Sequence, residues 1–257
     1  CAWVPQCKNC DVSLTYHKHI DHLKCHLCGF LDKIPEICPV CGNIHIKFSG
    51  FGTEKVEEEV KLMFPTAKVA RLDTDSTRGK YSHQNIISAF ENEDIDILVG
   101  TQMVTKGLDF NNVGLVGILN ADSLLSFPDF RSFERGFQLI TQIMGRAGRK
   151  KSNGKVILQT RQIDHEIIKL ALKSDFDSFF NSQIAERKSF KYPPFYRLVQ
   201  LSIMHKDPRL VSKASNELKS ILDRVEDLVI LGPEEPYYGR VKTFYIRNIL
   251  IKIPRTT

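Results

Sequence analysis

All seven cysteines of this chain lie in its first 41 residues, so the head of the molecule is built to fold around metal. They fall as Cys1, Cys7-x2-Cys10, Cys25-x2-Cys28 and Cys38-x2-Cys41. Two thiolates on one tight knuckle fill half of a tetrahedral shell, and three such hooks at short separation point to zinc. Glycine follows the second cysteine in two hooks (Gly29, Gly42), where a knuckle often turns through a positive φ. Seven is an odd count. Cys1 reads as half of a fourth hook whose other cysteine lies just upstream, and eight cysteines would make two sites of four thiolates. The alternative, a disulfide framework, requires an oxidising compartment. No signal-peptide pattern accompanies the cysteines, and their absence from 42 to 257 argues for a reducing setting. His17, His19, His22, His26 and His45 could stand in for a missing ligand, but four sulfurs per metal need none of them.

At 257 residues the chain can hold two or three units of ordinary domain size. Hydrophobic residues make up 42%, with no apolar run long enough to cross a bilayer, so no membrane partner is expected. The net charge of +6 permits a polyanionic partner. Residues 1–48 carry five lysines against four acids before thiolates add negative charge, so the head is not a basic nucleic-acid clamp. Residues 164–257 hold 16 Lys/Arg against 12 Asp/Glu, and most of the excess therefore sits in the tail.

The texture changes after Gly50-Phe51-Gly52. Thr53 reads as the N-cap of a helix to about Phe64, with Val56, Val60 and Met63 as its apolar stripe. A strand at Lys68–Leu72, a loop to Lys80 and a helix at Ser82–Glu91 follow, then strands Ile95–Gly100 and Val113–Leu119. A helix near Phe133–Met144 precedes the strand Lys155–Gln159. Alternating apolar strands and amphipathic helices predict an α/β unit with one parallel sheet covered on both faces, ligands binding at the strand C-termini. Asp164 to about Ser189 reads as helix, broken by Pro193-Pro194. The remainder reads as strand (Tyr196–His205), helix (Pro208–Arg224) and strands (Leu228–Leu231, Thr243–Ile253), a small α+β unit. The expected domains are thus 1–48, 49–163, a helical connector 164–192, and 193–257.

Two segments carry chemistry. One is Thr101-Gln102-Met103-Val104-Thr105-Lys106-Gly107-Leu108-Asp109 after a strand; the other is Gln142-Ile143-Met144-Gly145-Arg146-Ala147-Gly148-Arg149. On a helix Arg146 and Arg149 share a face, with Gln142 one turn earlier. Small residues at 145, 147 and 148 let the backbone approach another surface, and paired guanidiniums suit a triphosphate. The bland reading is a solvated charged helix end, which needs neither the glycines nor the glutamine.

These segments resemble motifs V and VI of the second RecA-like lobe of superfamily 2 helicases. The resemblance narrows to the PriA family of bacterial primosomal, replication-restart DNA helicases. It is carried by the cysteine-rich insert directly before Gly50–Lys55, by Leu119-Asn120-Ala121-Asp122 with Phe127–Arg131, and by Tyr192-Pro193-Pro194-Phe195. The match runs from residue 1 to about 200; beyond that it rests on position more than on motif.

The resemblance implies that Arg146 and Arg149 reach ATP phosphates across an interlobe cleft, with Gln142 in support, and that Gly107 and Asp109 couple the nucleotide to the lobe. It implies that Thr101, Gln102 and the loop containing Gly50, Gly52 and Thr53 hold DNA phosphates. It also implies nested metal sites: the absent cysteine and Cys1 with Cys38 and Cys41 on one zinc, Cys7, Cys10, Cys25 and Cys28 on the other. Spacing alone does not choose that pairing over a sequential one. The implied cofactors are two Zn²⁺ per complete chain and ATP with Mg²⁺. The implied partners are forked and single-stranded DNA, the single-stranded-DNA-binding protein and other primosome proteins, for a cytoplasmic monomer. The tail resembles the family's C-terminal DNA-contacting domain, and Tyr237–Tyr245 interleaves bases and aromatics as a stacking surface would. No Gly-x4-Gly-Lys-Ser/Thr loop and no Asp-Glu box occurs in these residues, so the chain alone is expected not to hydrolyse ATP. The competing readings are another superfamily 2 RNA helicase or duplex translocase, and a non-enzymatic zinc-ribbon scaffold. A zinc insert ahead of the lobe speaks against the first, and the presence of both arginines against the second.

Overall fold

The computed structural model describes residues 1, 3–17, 20–44, 46, 52–73, 82–101, 113–145 and 154–255. The chain divides into two compact units, 49–184 and 1–48 together with 185–257.

The head contains a three-stranded antiparallel sheet of very short strands, β1 (Thr15–His17), β2 (His22–Lys24) and β3 (Leu31–Asp32). Its buried cluster is Cys7, Cys10, Leu14, Leu23 and Cys25. Three of those five residues are thiols, so there is too little apolar side chain here for an ordinary core.

The unit 49–184 begins with α1 (Thr53–Met63), β4 (Val69–Leu72), α2 (Ser82–Glu91) and β5 (Ile97–Gly100). The N-cap of α1 is Gly52 rather than the expected Thr53, whose hydroxyl is used elsewhere. Val56 and Val60 of the predicted stripe are half-buried, but Met63 is exposed. Then follow β6 (Leu115–Ile118), α3 (Asp122–Leu125), α4 (Ser132–Met144), β7 (Lys155–Leu158), α5 (Glu166–Leu172) and α6 (Phe176–Ser189). Parallel pairing is present, as predicted, in two ladders, β4 with β5 and β6 with β7. Among the described residues these do not join into the one expected sheet. Among the described residues one face of β6–β7 is also left open, Leu115 and Ile157 each being 60% exposed.

The core of this unit is laid down by α4, whose Ser132, Gly136, Phe137, Ile140 and Ile143 recur at helical spacing and are buried. Phe137 stacks on Phe179 of α6 with ring centroids 4.1 Å apart, and Ile167, Ile168 and Ala171 of α5 complete the cluster. Gly136 admits α3 at close range, because a Cβ there would lie 2.6 Å from Leu125 Cδ2. Asp122 at the start of α3 accepts the Thr160 hydroxyl (2.6 Å) and the Arg161 N–H (2.9 Å), which holds its carboxyl below the usual range. The single helix expected over 164–189 is two. Ser174 takes a left-handed φ of 53°, and Asp175 accepts the Ser178 N–H (3.1 Å) to start α6 afresh.

The tail comprises β8 (Tyr196–His205), α7 (Pro208–Leu222), β9 (Val229–Glu234), β10 (Arg240–Val241) and β11 (Phe244–Pro254). The long strand β11 pairs antiparallel with β8, β9 and β10, and α7 packs against this sheet. Asp207 caps α7 by accepting the Arg209 N–H at 2.8 Å, with Pro208 in the first turn. Ile249, Ile251 and Val211 are its buried apolar residues.

Candidate metal centres and helicase-type motif residues

Each hook starts with the same turn: the Cys7, Cys25 and Cys38 N–H groups donate to Val12, Phe30 and Asn43 at 2.8–2.9 Å. These turns gather the sulfurs into two sets. The Sγ atoms of Cys7, Cys10, Cys25 and Cys28 lie within 4.8 Å of one another, and so do those of Cys1, Cys38 and Cys41. The grouping is nested, the alternative that spacing had left undecided.

Zinc with bonds to sulfur of about 2.3 Å sets tetrahedral sulfurs roughly 3.8 Å apart. Cys7 and Cys28 sulfurs are 3.6 Å apart, and those of Cys1 and Cys38 3.5 Å. All seven thiols are free, and these separations far exceed a disulfide bond of about 2 Å. The donor set therefore fits zinc. Burial pushes the Cys10 thiol up to about 12, with the Lys242 N–H working against that rise. Burial also opposes ionisation at Cys28, yet the Phe30 N–H and the neighbouring thiols bring it down to about 7. Zinc binds such ligands as thiolates, so metal entering the group would displace their protons.

The histidines stand apart from both sulfur groups among the described residues. Buried His17 meets His26 Nε2 to Nε2 at 3.3 Å, and His22 Nδ1 lies 2.7 Å from the Ile20 carbonyl. His19 and His45 lie outside the described residues.

The second candidate site is the C-terminal edge of the β4–β5 pair, where Leu72 pairs with Gly100. Exposed Thr101 follows Gly100, and buried Asp73 follows Leu72. Asp73 accepts the Thr53 hydroxyl, and Arg71 Nε approaches it to 3.3 Å, with Glu57 at 3.6 Å. Thr53 thereby spends its hydroxyl proton within the protein. The α1 N-terminus, whose N-cap Gly52 offers no side chain, keeps backbone N–H groups as its anion donors. Neither Arg71 nor Asp73 was singled out in the sequence; the available signal was an Arg-x-Asp ending an apolar strand.

Gln142 is exposed on the last turn of α4, off the face that buries Ile140 and Ile143, and Gly145 caps that helix. Gly50, Gln102, Gly107, Asp109, Arg146 and Arg149 lie outside the described residues.

Comparison with known proteins decides the family. The chain matches the PriA DNA helicase Cys-rich region domain over residues 7–31, the helicase conserved C-terminal domain over 46–151, and the primosomal protein N C-terminal domain over 188–257. It is 43% identical to the replication restart protein PriA of Bacillus subtilis over 100% of this chain and 32% of that protein. The chain belongs to the PriA family. PriA of Synechocystis is 38% identical over 99% of the chain and 31% of its own length, and PriA of Treponema pallidum 38% over 99% and 39%. The chain thus spans about a third of the length of the curated PriA relatives it matches. Within the PriA layout, the helicase conserved C-terminal domain at residues 46–151, a RecA-like lobe, lies between a cysteine-rich zinc ribbon and the PriA C-terminal domain.

Proposed function

We propose that the chain is the C-terminal part of an ATP-dependent 3′-to-5′ DNA helicase that recognises stalled or collapsed replication forks and initiates primosome assembly for restart. The observation that carries this reading is a helicase C-terminal domain set between two PriA-type modules on one chain, with identity to PriA proteins across its whole length.

In this reading Arg146 and Arg149 contact ATP phosphates supplied by a second lobe, and Gln142 orients them from the end of α4. Gly107 and Asp109 transmit the nucleotide state, and Mg²⁺ accompanies ATP. Gly50, Gly52, Thr53, Thr101 and Gln102 contact DNA phosphates, with the free end of α1 supplying N–H donors. Cys7, Cys10, Cys25 and Cys28 hold one Zn²⁺, and Cys1, Cys38 and Cys41 with a further ligand hold a second. The proposed partners are forked and single-stranded DNA, the single-stranded-DNA-binding protein and other primosome proteins, met by a monomer in the cytoplasm.

The test uses the protein with both lobes. Arg146→Ala and Arg149→Ala are each expected to lower DNA-stimulated ATP hydrolysis by about 10³-fold or more while leaving fork binding intact. The isolated 257-residue chain is expected to turn over no ATP. Wild-type rates in both variants, or steady hydrolysis by the isolated chain that Arg146→Ala abolishes, would sink the reading.

A further inference from the structure

The first cysteine hook differs from the other two. In the second and third hooks the residue after the second cysteine folds back: the Gly29 N–H donates to Cys25 C=O and the Gly42 N–H to Cys38 C=O, both at 2.9 Å. Both glycines hold left-handed φ values, +79° and +68°. The first hook has Asp11 at this position, and its N–H donates instead to Arg240 C=O in the C-terminal domain at 2.9 Å. Three more contacts follow from the same stretch. Thr243 N–H donates to Asn9 C=O (2.8 Å), Lys242 N–H to Cys10 Sγ (3.2 Å), and Arg240 Nε to Asp11 Oδ1 (3.1 Å). Val241 packs against the cluster of Cys7, Cys10, Leu14, Leu23 and Cys25.

The turn making these contacts is strained. Arg240 pairs with Tyr245 and Val241 with Phe244, so Lys242 and Thr243 form a two-residue hairpin loop, with φ values of 49° and 71°. Such loops favour Asn-Gly, because left-handed backbone is costly for residues with a Cβ. A β-branched threonine there persists only where the surroundings over-determine it. Here the surroundings are the metal knuckle, to which both N–H groups point while the two side chains stay exposed.

We infer that the β10–β11 turn of the C-terminal domain completes the Cys7/Cys10/Cys25/Cys28 site, so that metal retention there and seating of the turn stabilise one another. Lys242 and Thr243 are positioning residues acting through backbone N–H groups. The Lys242 N–H stabilises the Cys10 thiolate, as groups just outside a metal's ligand shell do. By reciprocity, metal on the four sulfurs holds the turn in its strained form. The inference rests on the ligand set proposed above.

The experiment measures zinc transfer from the protein to 4-(2-pyridylazo)resorcinol, and hydrogen exchange of the tail by mass spectrometry. Val241→Asp should drive the turn off the knuckle, making one zinc equivalent leave about 10- to 100-fold faster and leaving the other unchanged. Retained exchange protection of β8 and the rest of β11 shows that the variant domain is folded. Lys242→Gly with Thr243→Gly keeps both N–H groups and relieves the strain, so its zinc should stay as slow to leave as in the wild type. Conversely, stripping the metal should raise exchange at 240–243 while β8 stays protected. Wild-type zinc release in folded Val241→Asp, or exchange at 240–243 indifferent to metal, overturns the inference. Full zinc content in Cys25→Ser would instead overturn the ligand set.

Discussion

Residues 1–48 and 196–254 belong to one compact unit, yet different forces hold them. Among its described residues the head has no strand longer than three residues, and its buried cluster is mostly thiols. Ile37, Val40 and Ile44 are exposed. The tail is organised by β11, eleven residues long and hydrogen-bonded along both edges, with Ile249 fully buried. Order in the head therefore depends on sulfur–metal bonds, and order in the tail on a backbone ladder. The same contrast recurs inside the head. Cys7, Cys10 and Cys25 are buried and buttressed by the tail, whereas Cys1 and Cys41 are exposed. A metal held by the first set should exchange slowly and one held by the second quickly.

Metal removal should separate the two regions most sharply. Structural zinc contributes about 10–16 kcal/mol in small zinc-dependent folds, more than the head can replace from two buried leucines. Exhaustive chelation under reducing conditions should erase amide protection across the head while β8 and the body of β11 keep theirs. Hydrogen exchange that collapses in both regions together would show a single cooperative unit and end the contrast.

The reverse perturbation is Gly232→Ala in β9. Its φ is +95°, and a Cβ would lie 2.6 Å from Asn248 O and 3.0 Å from Glu234 N, neither of which can yield cheaply. The expected loss is about 3 kcal/mol, read by urea unfolding of the tail, with zinc content unchanged. Zinc loss from the variant while its tail is still folded would mean that the ladder beyond the β10–β11 turn is also needed to hold the metal.

Local pattern made much of this fold legible. The strand Tyr196–His205 and the helix Ser82–Glu91 lie where periodicity and turn residues put them, and the hooks announced a metal. Pairing of the hooks was not legible, because Cys-x2-Cys fixes each knuckle but not which knuckles meet. The break at Ser174 was missed because a left-handed serine leaves no apolar signature. The short β10 and its turn were hidden for a stronger reason: Arg240 and Asp11 are 229 residues apart, and such contacts have no local period. The one clue was aspartate where the other hooks carry glycine. At the β4–β5 edge, apolar texture gave the strands but not that Asp73 would take the Thr53 hydroxyl.

The smallest effect concerns a charge buried in the ladder, where the head buries thiols instead. Lys252 of β11 is only 5% exposed, donates to Phe190 C=O at 2.7 Å, and lies 3.8 Å from the Tyr192 ring centroid. Burial pulls its pKa below 10.5, and the positive charge of Lys191 adds to the fall. The unfolded chain thus holds this proton to higher pH than the folded one. Between the folded pKa and 10.5 the unfolded state binds more protons, so this lysine's contribution to stability rises with pH across that window and is flat below it. Lys252→Met keeps the length of the side chain and removes the titration. The difference between wild-type and variant unfolding free energies should therefore be constant at neutral pH and shift in favour of the wild type as pH climbs toward 10.5. Parallel pH profiles would show that the ammonium is as well solvated in the fold as in the open chain, and that the tail, like the head, tolerates charge at its centre only where a partner of opposite polarity fully meets it.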